Sequence, residues 1–247
     1  MPEEKVKAVF FDLGETLLNF GRVDSSRIFK EAARLSYAFL QQLSQKVGGF
    51  AYYSIRNLTS IRFHYLLSNI IGRDFDSLEL LKKIGRKWHL QLSEQQWQQL
   101  AWLWYEPLGK IATVETNIID TLEKLKSFGL KLGIVSNTFV HGSSLDRHLM
   151  QLGMLDYFPV RLYSYDYRFR KPDRRIFEAA ADMAGEEPKK TMFVGDRLDN
   201  DIKGAMKARM LPVLKRAYTN EGKRVPQGVL KINSISELPE VIEKINA

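Results

Sequence analysis

Cysteine is absent from this 247-residue chain, and so are long hydrophobic runs. Without cysteine, neither a disulfide nor a cysteine-ligated metal site can form. No stretch approaches the roughly 18 consecutive apolar residues that a membrane-spanning helix needs. The apolar run near the N-terminus, Ala8 to Phe11, is too short for the core of a signal peptide. We therefore expect a soluble, cytoplasmic protein with no membrane partner.

The composition is that of an ordinary globular protein, because 45% of the residues are hydrophobic and 27% are charged. These values argue against a disordered, collagen-like or fibrous chain. The length allows either one large domain or a domain with an insertion. Lys and Arg number 37 against 29 Asp and Glu, which gives a formal net charge of +8. This excess alone does not distinguish nucleic acid, an acidic surface or a small anion as the partner.

Hydrophobic spacing changes along the chain. Residues 7–11 are apolar apart from Lys7 and predict a buried strand that ends in a loop. Apolar residues then recur every three or four positions from residue 19 to about residue 113, which predicts an all-helical segment. Within it, Ser93 and Gln96 have the spacing of a capping box, which predicts a helix that ends before Pro107.

Predicted strands and helices alternate in the rest of the chain. Strands are predicted at residues 130–135, 191–194 and 211–214, and a final strand and helix within residues 229–245. Pro172 is predicted to occupy the first turn of a helix. The alternation predicts an α/β fold, with a Rossmann-like parallel sheet and helices on both faces. We assign the core to residues 1–18 and 114–247, and the helical segment, residues 19–113, to an insertion.

Polar residues follow three of the predicted strands. Asp12 follows the first strand, Ser136 and Asn137 follow the second, and Gly195 and Asp196 follow the third. Ligands of an open parallel sheet bind beyond the carboxyl ends of its strands. We therefore expect these residues to meet at one edge of the sheet.

Four motifs occur in order, each at the end of a predicted strand or helix. They are FFDLGETL at Phe10–Leu17, VSN at Val135–Asn137, RKPDRRIF at Arg170–Phe177 and VGDRLDND at Val194–Asp201. In these motifs the chain resembles the haloacid dehalogenase-like superfamily of phosphohydrolases. The resemblance implies hydrolysis of a small phosphomonoester, with the helical insertion as a cap domain.

The residue types in these motifs fit phosphoryl transfer. A carboxylate can attack phosphorus when a cation and hydrogen-bond donors offset the repulsion between two anions, and Asp12 is the candidate nucleophile. Such an attack would form an aspartyl-phosphate intermediate. Lys171 would neutralise charge on the phosphoryl oxygens, and Ser136, with Asn137 beside it, would bind another phosphoryl oxygen.

Mg²⁺ is the predicted cofactor, because it prefers a few carboxylates together with water and phosphate oxygens. Asp12, Asp196 and Asp201 are the candidate ligands, and the resemblance implies that the backbone carbonyl of Gly14 is a further ligand. Two alternatives stay open for Asp201, which could instead orient Lys171 or a metal-bound water.

Position 14 departs from the family pattern. Phosphatases of the family usually read D-x-D-G-T, and the second Asp protonates the leaving oxygen and then activates water. Here Asp12 to Thr16 read DLGET, so Gly14 replaces a group whose acid–base catalysis is typically worth about 10² to 10⁴ in rate. Glu15 is the nearest carboxylate, but one position further along an extended segment its side chain should point the other way.

Other functions remain open at this stage. A haloacid dehalogenase, whose Asp attacks carbon without a metal, shares VSN and lacks the second Asp, but Asp196, Asp199 and Asp201 favour a cation. A catalytically weak relative that binds a phosphorylated ligand or a protein is compatible with Gly14. Nucleic acid is disfavoured, because the basic and aromatic stretch from Arg168 to Arg175 matches no nucleic-acid-binding signature.

The helical insertion carries all four tryptophans and most of the excess charge. Trp97 and Trp104 lie seven positions apart, which favours packing in a helical core over a lid that stacks on substrate. Residues 19–113 contain 13 Lys and Arg against 7 Asp and Glu, so a basic cap is expected to attract a small phosphorylated anion. Neither the identity of the substrate nor the oligomeric state follows from the sequence.

Overall fold

The computed structural model describes residues 5–247, and its central feature is a six-stranded parallel sheet. The strands are β1 Ala8–Phe11, β2 Lys131–Ser136, β3 Val160–Tyr163, β4 Thr191–Gly195, β5 Leu211–Lys215 and β6 Leu230–Ile232, in the sheet order β3-β2-β1-β4-β5-β6. The described helices are α1 Ser25–Gln42, α2 Phe50–Ile71, α3 Ser77–Arg86, α4 Glu94–Gly109, α5 Ile118–Ser127, α6 Gly142–Gln151, α7 Arg174–Ala184, α8 Lys203–Lys207 and α9 Leu238–Asn246. The predicted α/β fold is confirmed. None of the described helices has the length and apolar character needed to cross a membrane.

Strand β1 lies in the middle of the sheet, and its four residues are apolar and buried. It pairs with β2 on one side and β4 on the other, so that Phe11 lies opposite Ile134 and Val194. Parallel strands that are covered on both faces need such continuous apolar runs. The carboxyl ends of β1, β2 and β4 therefore lie side by side at one edge of the sheet.

Aromatic packing fixes these central strands. The rings of Phe177 in α7 and Phe193 in β4 meet edge to face, with their centroids 4.7 Å apart. In β2, a Cβ at Gly133 would lie 2.2 Å from the ring of Phe10, so this position accepts only glycine. The strands that end at the candidate site thus rest on a closely packed core.

The chain divides into two compact units. The first contains the described residues up to Gly21 together with Thr113–Asn137 and Met150–Ala247, and it includes the whole sheet. The second contains Arg22–Ala112 and Thr138–Leu149. Nothing in the sequence indicated that the residues after Asn137 group with the helical insertion. The role of the insertion as a cap stays a prediction.

The second unit has a helical core of its own. Tyr53, Trp97 and Leu100 are buried in it. Trp88 stacks on Tyr53 with ring centroids 5.5 Å apart, and a Cβ at Gly85 would lie 2.3 Å from the ring of Trp97. These tryptophans pack within the helical unit, as the helical spacing predicted.

Several details differ from the sequence predictions. Helix α4 continues through Pro107 to Gly109, because a proline in the last turn removes only one intrahelical hydrogen bond. Pro172 lies outside α7, which begins at Arg174 with Asp173 as its N-cap. Strand β3 was missed because it is a four-residue edge strand that is only half buried. Helix α6 was missed too, and it begins at Gly142, a poor helix former.

Candidate active site

The candidate site lies in the first unit, at the carboxyl edge of the sheet. Asp12 directly follows β1, and its backbone N–H donates to the carbonyl of Val194 at 2.9 Å, which continues the pairing with β4. Ser136 is the last residue of β2, and Asp196 directly follows β4. Asp12, Ser136 and Asp196 are all buried. The structure therefore brings together the strand ends that the sequence predicted to meet.

A buried lysine joins two of the carboxylates. Lys171 Nζ lies 2.7 Å from Asp12 Oδ1 and 2.6 Å from Asp201 Oδ1, and only 2% of its side chain is exposed. The ammonium also lies 5.2 Å from the centre of the Phe193 ring, within the range of a cation–π contact. Although burial disfavours the charged form, the two carboxylates raise the pKa of Lys171 above its ordinary value. The lysine is therefore a fixed positive charge.

Asn137 holds the backbone of Lys171. Its Nδ2 donates to the Lys171 carbonyl at 2.8 Å, and its Oδ1 accepts from the Lys171 N–H at 2.9 Å. The Asn137 side chain thus positions the lysine, and its contact with substrate stays a prediction. Among residues 5–247 we find no hydrogen bond that engages the Ser136 hydroxyl. That hydroxyl is available to a ligand.

Three buried carboxylates form the acidic part of the site. Asp12, Asp196 and Asp201 each offer one oxygen, and these oxygens lie within 4.8 Å of one another. Thr219 Oγ1 donates to Asp196 Oδ2, and the backbone N–H of Arg197 donates to Asp201 Oδ2 at 2.9 Å. These donors orient the carboxylates, but they bring no full charge into contact with them.

The cluster contains more negative charge than a single lysine balances. Burial, reinforced by the charge of Asp201, raises the pKa of Asp196 to about 6. Burial also raises the pKa of Asp201 to about 6 and the pKa of Asp12 in the same direction, although Lys171 opposes both shifts. A hard divalent cation would neutralise this excess, and carboxylate oxygens are the ligands that it prefers. The donor set therefore fits such a cation.

The loop after Asp12 contains Gly14 and Glu15, the two positions where the first motif departs from the family pattern. Glu15 has a φ of 56°, and its carboxylate accepts from the backbone N–H groups of Phe20 at 2.9 Å and Gly21 at 3.0 Å. Glu15 thus stabilises the loop, which gives no support to a role as the missing acid. Gly14 has space around it, since a Cβ there would meet only the Phe20 ring at 3.8 Å.

A second buried lysine, Lys215, was missed by the sequence analysis. Its Nζ donates to Asn19 Oδ1 at 3.1 Å and to the Glu15 carbonyl at 3.4 Å, and it pairs with Glu115 at 3.5 Å. These contacts tie the loop after Asp12 to the end of β5. The signal was available, because Lys215 also follows directly after a predicted strand.

The sequence pattern of the haloacid dehalogenase-like hydrolases matches residues 6–209. The chain belongs to this hydrolase family. It is 30% identical over 212 residues to the glyceraldehyde 3-phosphate phosphatase of Methanopyrus kandleri, a match that covers 84% of this chain and 83% of that protein. It is 34% identical over 133 residues to the glyceraldehyde 3-phosphate phosphatase of Methanothermobacter thermautotrophicus, but this match covers 51% of this chain and 57% of that protein.

Solved structures of the hydrolase family resemble the whole chain. The HAD phosphatase of Thermococcus onnurineus has a TM-score of 0.59 at 25% identity, and the match covers 96% of this chain and 98% of that chain. The 2-haloacid dehalogenase of Pseudomonas syringae has a TM-score of 0.56 at 23% identity, with 97% and 99% covered. The second likeness shows the fold alone. Because the fold serves both reactions, the choice between them depends on the site.

The raised pKa of Asp196 predicts a pH-dependent stability. In the folded state the pKa of Asp196 is about 6, above the ordinary value of 3.8, so the folded state binds the Asp196 proton more tightly than the unfolded state does. The free energy of unfolding that this proton contributes is present below about pH 4 and is lost as the pH rises to about 6. Asp196→Asn removes the charge. In EDTA, the free energy of unfolding of the variant, measured relative to that of the unsubstituted chain, should therefore increase between about pH 4 and about pH 6, by up to about 3 kcal/mol. Urea unfolding at several pH values measures the difference.

Asp199→Asn is the matched control for this experiment. The hydrogen bond from Arg197 lowers the pKa of Asp199, so the stability that this carboxylate contributes is present above the unfolded pKa and is lost as the pH falls. The control should show the opposite trend, and a smaller one, because 62% of the Asp199 side chain is exposed. The same direction for both variants would contradict the electrostatic explanation.

Gly195→Ala should separate Asp201 from Lys171. A Cβ at Gly195 would lie 2.5 Å from the Asp201 carboxylate, so that carboxylate has to move. We expect hydrolase activity to fall by about 10²-fold while the circular dichroism spectrum is unchanged, because small displacements of a catalytic group carry large costs in rate. Gly49→Ala is the control, since nothing lies within 4 Å of a Cβ at Gly49. Full activity in Gly195→Ala would show that the contact is dispensable.

Proposed function

We propose that this protein is a Mg²⁺-dependent phosphatase that hydrolyses a small phosphomonoester through an aspartyl-phosphate on Asp12. The observation that carries the proposal is the ammonium of Lys171, held between Asp12 and Asp201 beside a third buried carboxylate, Asp196. A dehalogenase that uses no metal has no need for three buried acids in one cluster. The acidic cluster therefore favours phosphate chemistry.

Asp12 is the nucleophile in this proposal. A bond forms between its carboxylate oxygen and phosphorus while the bond from phosphorus to the leaving oxygen breaks, and the leaving group takes up a proton. Water then attacks the aspartyl-phosphate, which releases inorganic phosphate and restores the Asp12 carboxylate. Lys171 offsets the repulsion between the carboxylate and the phosphoryl oxygens, and the Ser136 hydroxyl donates to a phosphoryl oxygen.

The proposed ligands of Mg²⁺ are the carboxylates of Asp12, Asp196 and Asp201 and the backbone carbonyl of Gly14. When bound, the ion neutralises charge on the phosphoryl oxygens and helps to orient the substrate. In the absence of the ion, the same carboxylates repel one another and hold protons, as their raised pKa values indicate. Metal binding should therefore release protons at about pH 6 and below, where these carboxylates hold them.

Triose phosphate is the first substrate to test. The M. kandleri and M. thermautotrophicus relatives are both named glyceraldehyde 3-phosphate phosphatases. We also propose that the helical insertion, residues 19–113, is the cap of this enzyme. Its excess of Lys and Arg over Asp and Glu suits it to attract a small anion.

Asp12→Asn tests the proposed nucleophile. The amide of asparagine cannot form the acyl phosphate, so hydrolysis of glyceraldehyde 3-phosphate and of an aryl phosphate with Mg²⁺ should fall by at least about 10³-fold. Release of inorganic phosphate measures the rate. Asp182→Asn, an exposed carboxylate on α7, is the control and should keep full activity.

Three outcomes of this experiment would overturn the proposal. Retained activity in Asp12→Asn would show that Asp12 is not the nucleophile. Activity on a 2-haloacid that survives EDTA, without activity on phosphate esters, would identify a dehalogenase. If the unsubstituted chain hydrolyses none of a broad panel of phosphomonoesters with Mg²⁺, the result would favour a protein that binds a ligand without hydrolysing it.

Gly14→Asp tests the missing acid. The open space at Gly14 accepts a side chain, and a carboxylate there would protonate the leaving oxygen. We expect kcat on an alkyl phosphate to rise by about 10-fold or more, and kcat on an aryl phosphate to change little, because an aryl leaving group needs little protonation. Gly14→Asn is the matched control without the proton and should give no rise. An equal effect of both variants on both substrates would show that another group already supplies the proton.

A further inference from the structure

Helix α2 exposes a row of large apolar residues to solvent. The side that packs on the second unit carries Tyr53, Asn57, Ile61 and Ser68, of which two are polar. The opposite side exposes large apolar residues, among them Phe63, Leu66 and Ile70, whose exposed fractions are 61%, 62% and 82%. An ordinary surface helix has the reverse arrangement, with its polar side in water. The feature belongs to the second unit and uses none of the residues of the candidate active site.

Residues on the outer side of α2 form one straight stripe, which we call the α2 stripe; four of its members are large, apolar and exposed, whereas Thr59 is polar and Arg56 is a half-buried cation. It consists of six residues separated by four and three positions in turn: Tyr52, Arg56, Thr59, Phe63, Leu66 and Ile70. Ile55 and Leu67 are exposed beside it. This spacing keeps residues on one side of a helix, and it is the spacing that packs against a second helix. At 1.5 Å per residue the stripe is about 27 Å long.

We infer that the α2 stripe packs antiparallel against the α2 stripe of a second copy of this chain, with the two-fold axis at the level of residue 61. Tyr52 of one copy then lies opposite Ile70 of the other, and Thr59 lies opposite Phe63. A two-fold interface uses the same patch on both subunits. The stripe meets this condition, because an axis at residue 61 places each member opposite another member: Tyr52 opposite Ile70, Arg56 opposite Leu66 and Thr59 opposite Phe63.

The charges on α2 favour the antiparallel pairing. Arg56 and Arg62 are its basic residues, and the helix has no Asp or Glu. A parallel pair would place Arg56 directly against Arg56 of the second copy, whereas the antiparallel pair separates them by about 15 Å along the axis. Arg56 also has partners within its own unit, since it donates to the Tyr52 hydroxyl at 2.9 Å and lies 5.3 Å from the centre of the Trp88 ring.

The exposed area is sufficient for a stable pair. The six large apolar side chains of the stripe and its flanks each expose on the order of 100 Å². If all of this area is covered, two copies bury at most roughly 1,200 Å² through these side chains, which is the lower end of the range for specific interfaces. A membrane surface is the weaker alternative, because two arginines fall short of the roughly 4–8 basic residues of a lipid-binding cluster.

The mass in solution and one pair of substitutions test the pairing. Light scattering during gel filtration should give twice the chain mass of 28.6 kDa. Leu66 lies opposite Arg56 of the second copy, so Leu66→Arg should raise the dimer Kd by about 30-fold or more, whereas Leu66→Glu should raise it less. Met150→Arg, at an exposed residue outside α2, is the control and should leave the dimer intact.

Crosslinking tests the direction of the helices, since the chain has no cysteine of its own. In the antiparallel pair the two copies of position 59 lie about 6 Å apart along the axis, and the two copies of position 51 about 30 Å apart. A short bismaleimide should therefore link Thr59→Cys to its second copy and leave Ala51→Cys unlinked. Both positions are exposed, so both should react with a monofunctional maleimide.

Four results would overturn the inference. They are a monomer at every concentration, a dimer that Leu66→Arg and Leu66→Glu leave unchanged, crosslinking of both cysteine variants, and a monomer that binds phospholipid vesicles through α2. The last result would assign the stripe to a lipid surface. Hydrolase activity enters none of these measurements, so they stand apart from the proposed function.

Discussion

The buried ammonium of Lys171 between Asp12 and Asp201 is the contact on which the rest of the candidate site depends. A lysine or a carboxylate left alone at this depth would be strongly destabilising, so each of the three needs the others. They come from three distant parts of the chain: the end of β1, the loop before α7 and the turn after β4. Only the edge of a parallel sheet brings such segments within hydrogen-bond distance. Asn137 and Gly195 then serve this contact, one by holding the lysine backbone and the other by leaving room for Asp201.

The same contact leaves the site electrostatically incomplete. One ammonium faces three buried carboxylates, and burial together with their mutual repulsion raises the pKa of Asp196 and Asp201. A phosphate group would add further negative charge to this region. In the proposed function a cation at this cluster would offset the added charge, and without the cation protons occupy the carboxylates at about pH 6 and below. The family, the donor atoms and the charge excess all support the proposed divalent cation.

The sequence predicted those features that follow from strand ends and local spacing. Asp12 and Asp196 could be placed together because parallel strands end at the same edge, and this rule needs no side-chain coordinates. The roles of Asn137 and Glu15 could not be predicted, because each depends on the direction of a side chain across a loop, whereas the position of Lys215 directly after a predicted strand was a signal that the sequence analysis did not use. Glu15 illustrates the limit: spacing alone suggested that it points away from the site, but only the structure shows the two backbone N–H groups that it binds.

The sequence predicted that α2 is a helix, but for a related reason it did not predict which side of α2 is buried. Periodicity predicts a helix from the spacing of apolar residues, but in α2 such residues occur on every side, so the pattern does not say which side is buried. The structure decides it, since Asn57 and Ser68 face inwards while Phe63 and Leu66 face water. The acidic cluster and the α2 stripe then pose the same kind of problem. In each case the chain leaves an imbalance, of charge at the buried carboxylates and of exposed apolar area on the stripe, and this imbalance is the ground for the proposed partner: a divalent cation for the carboxylates, and an apolar helix of matching length for the stripe.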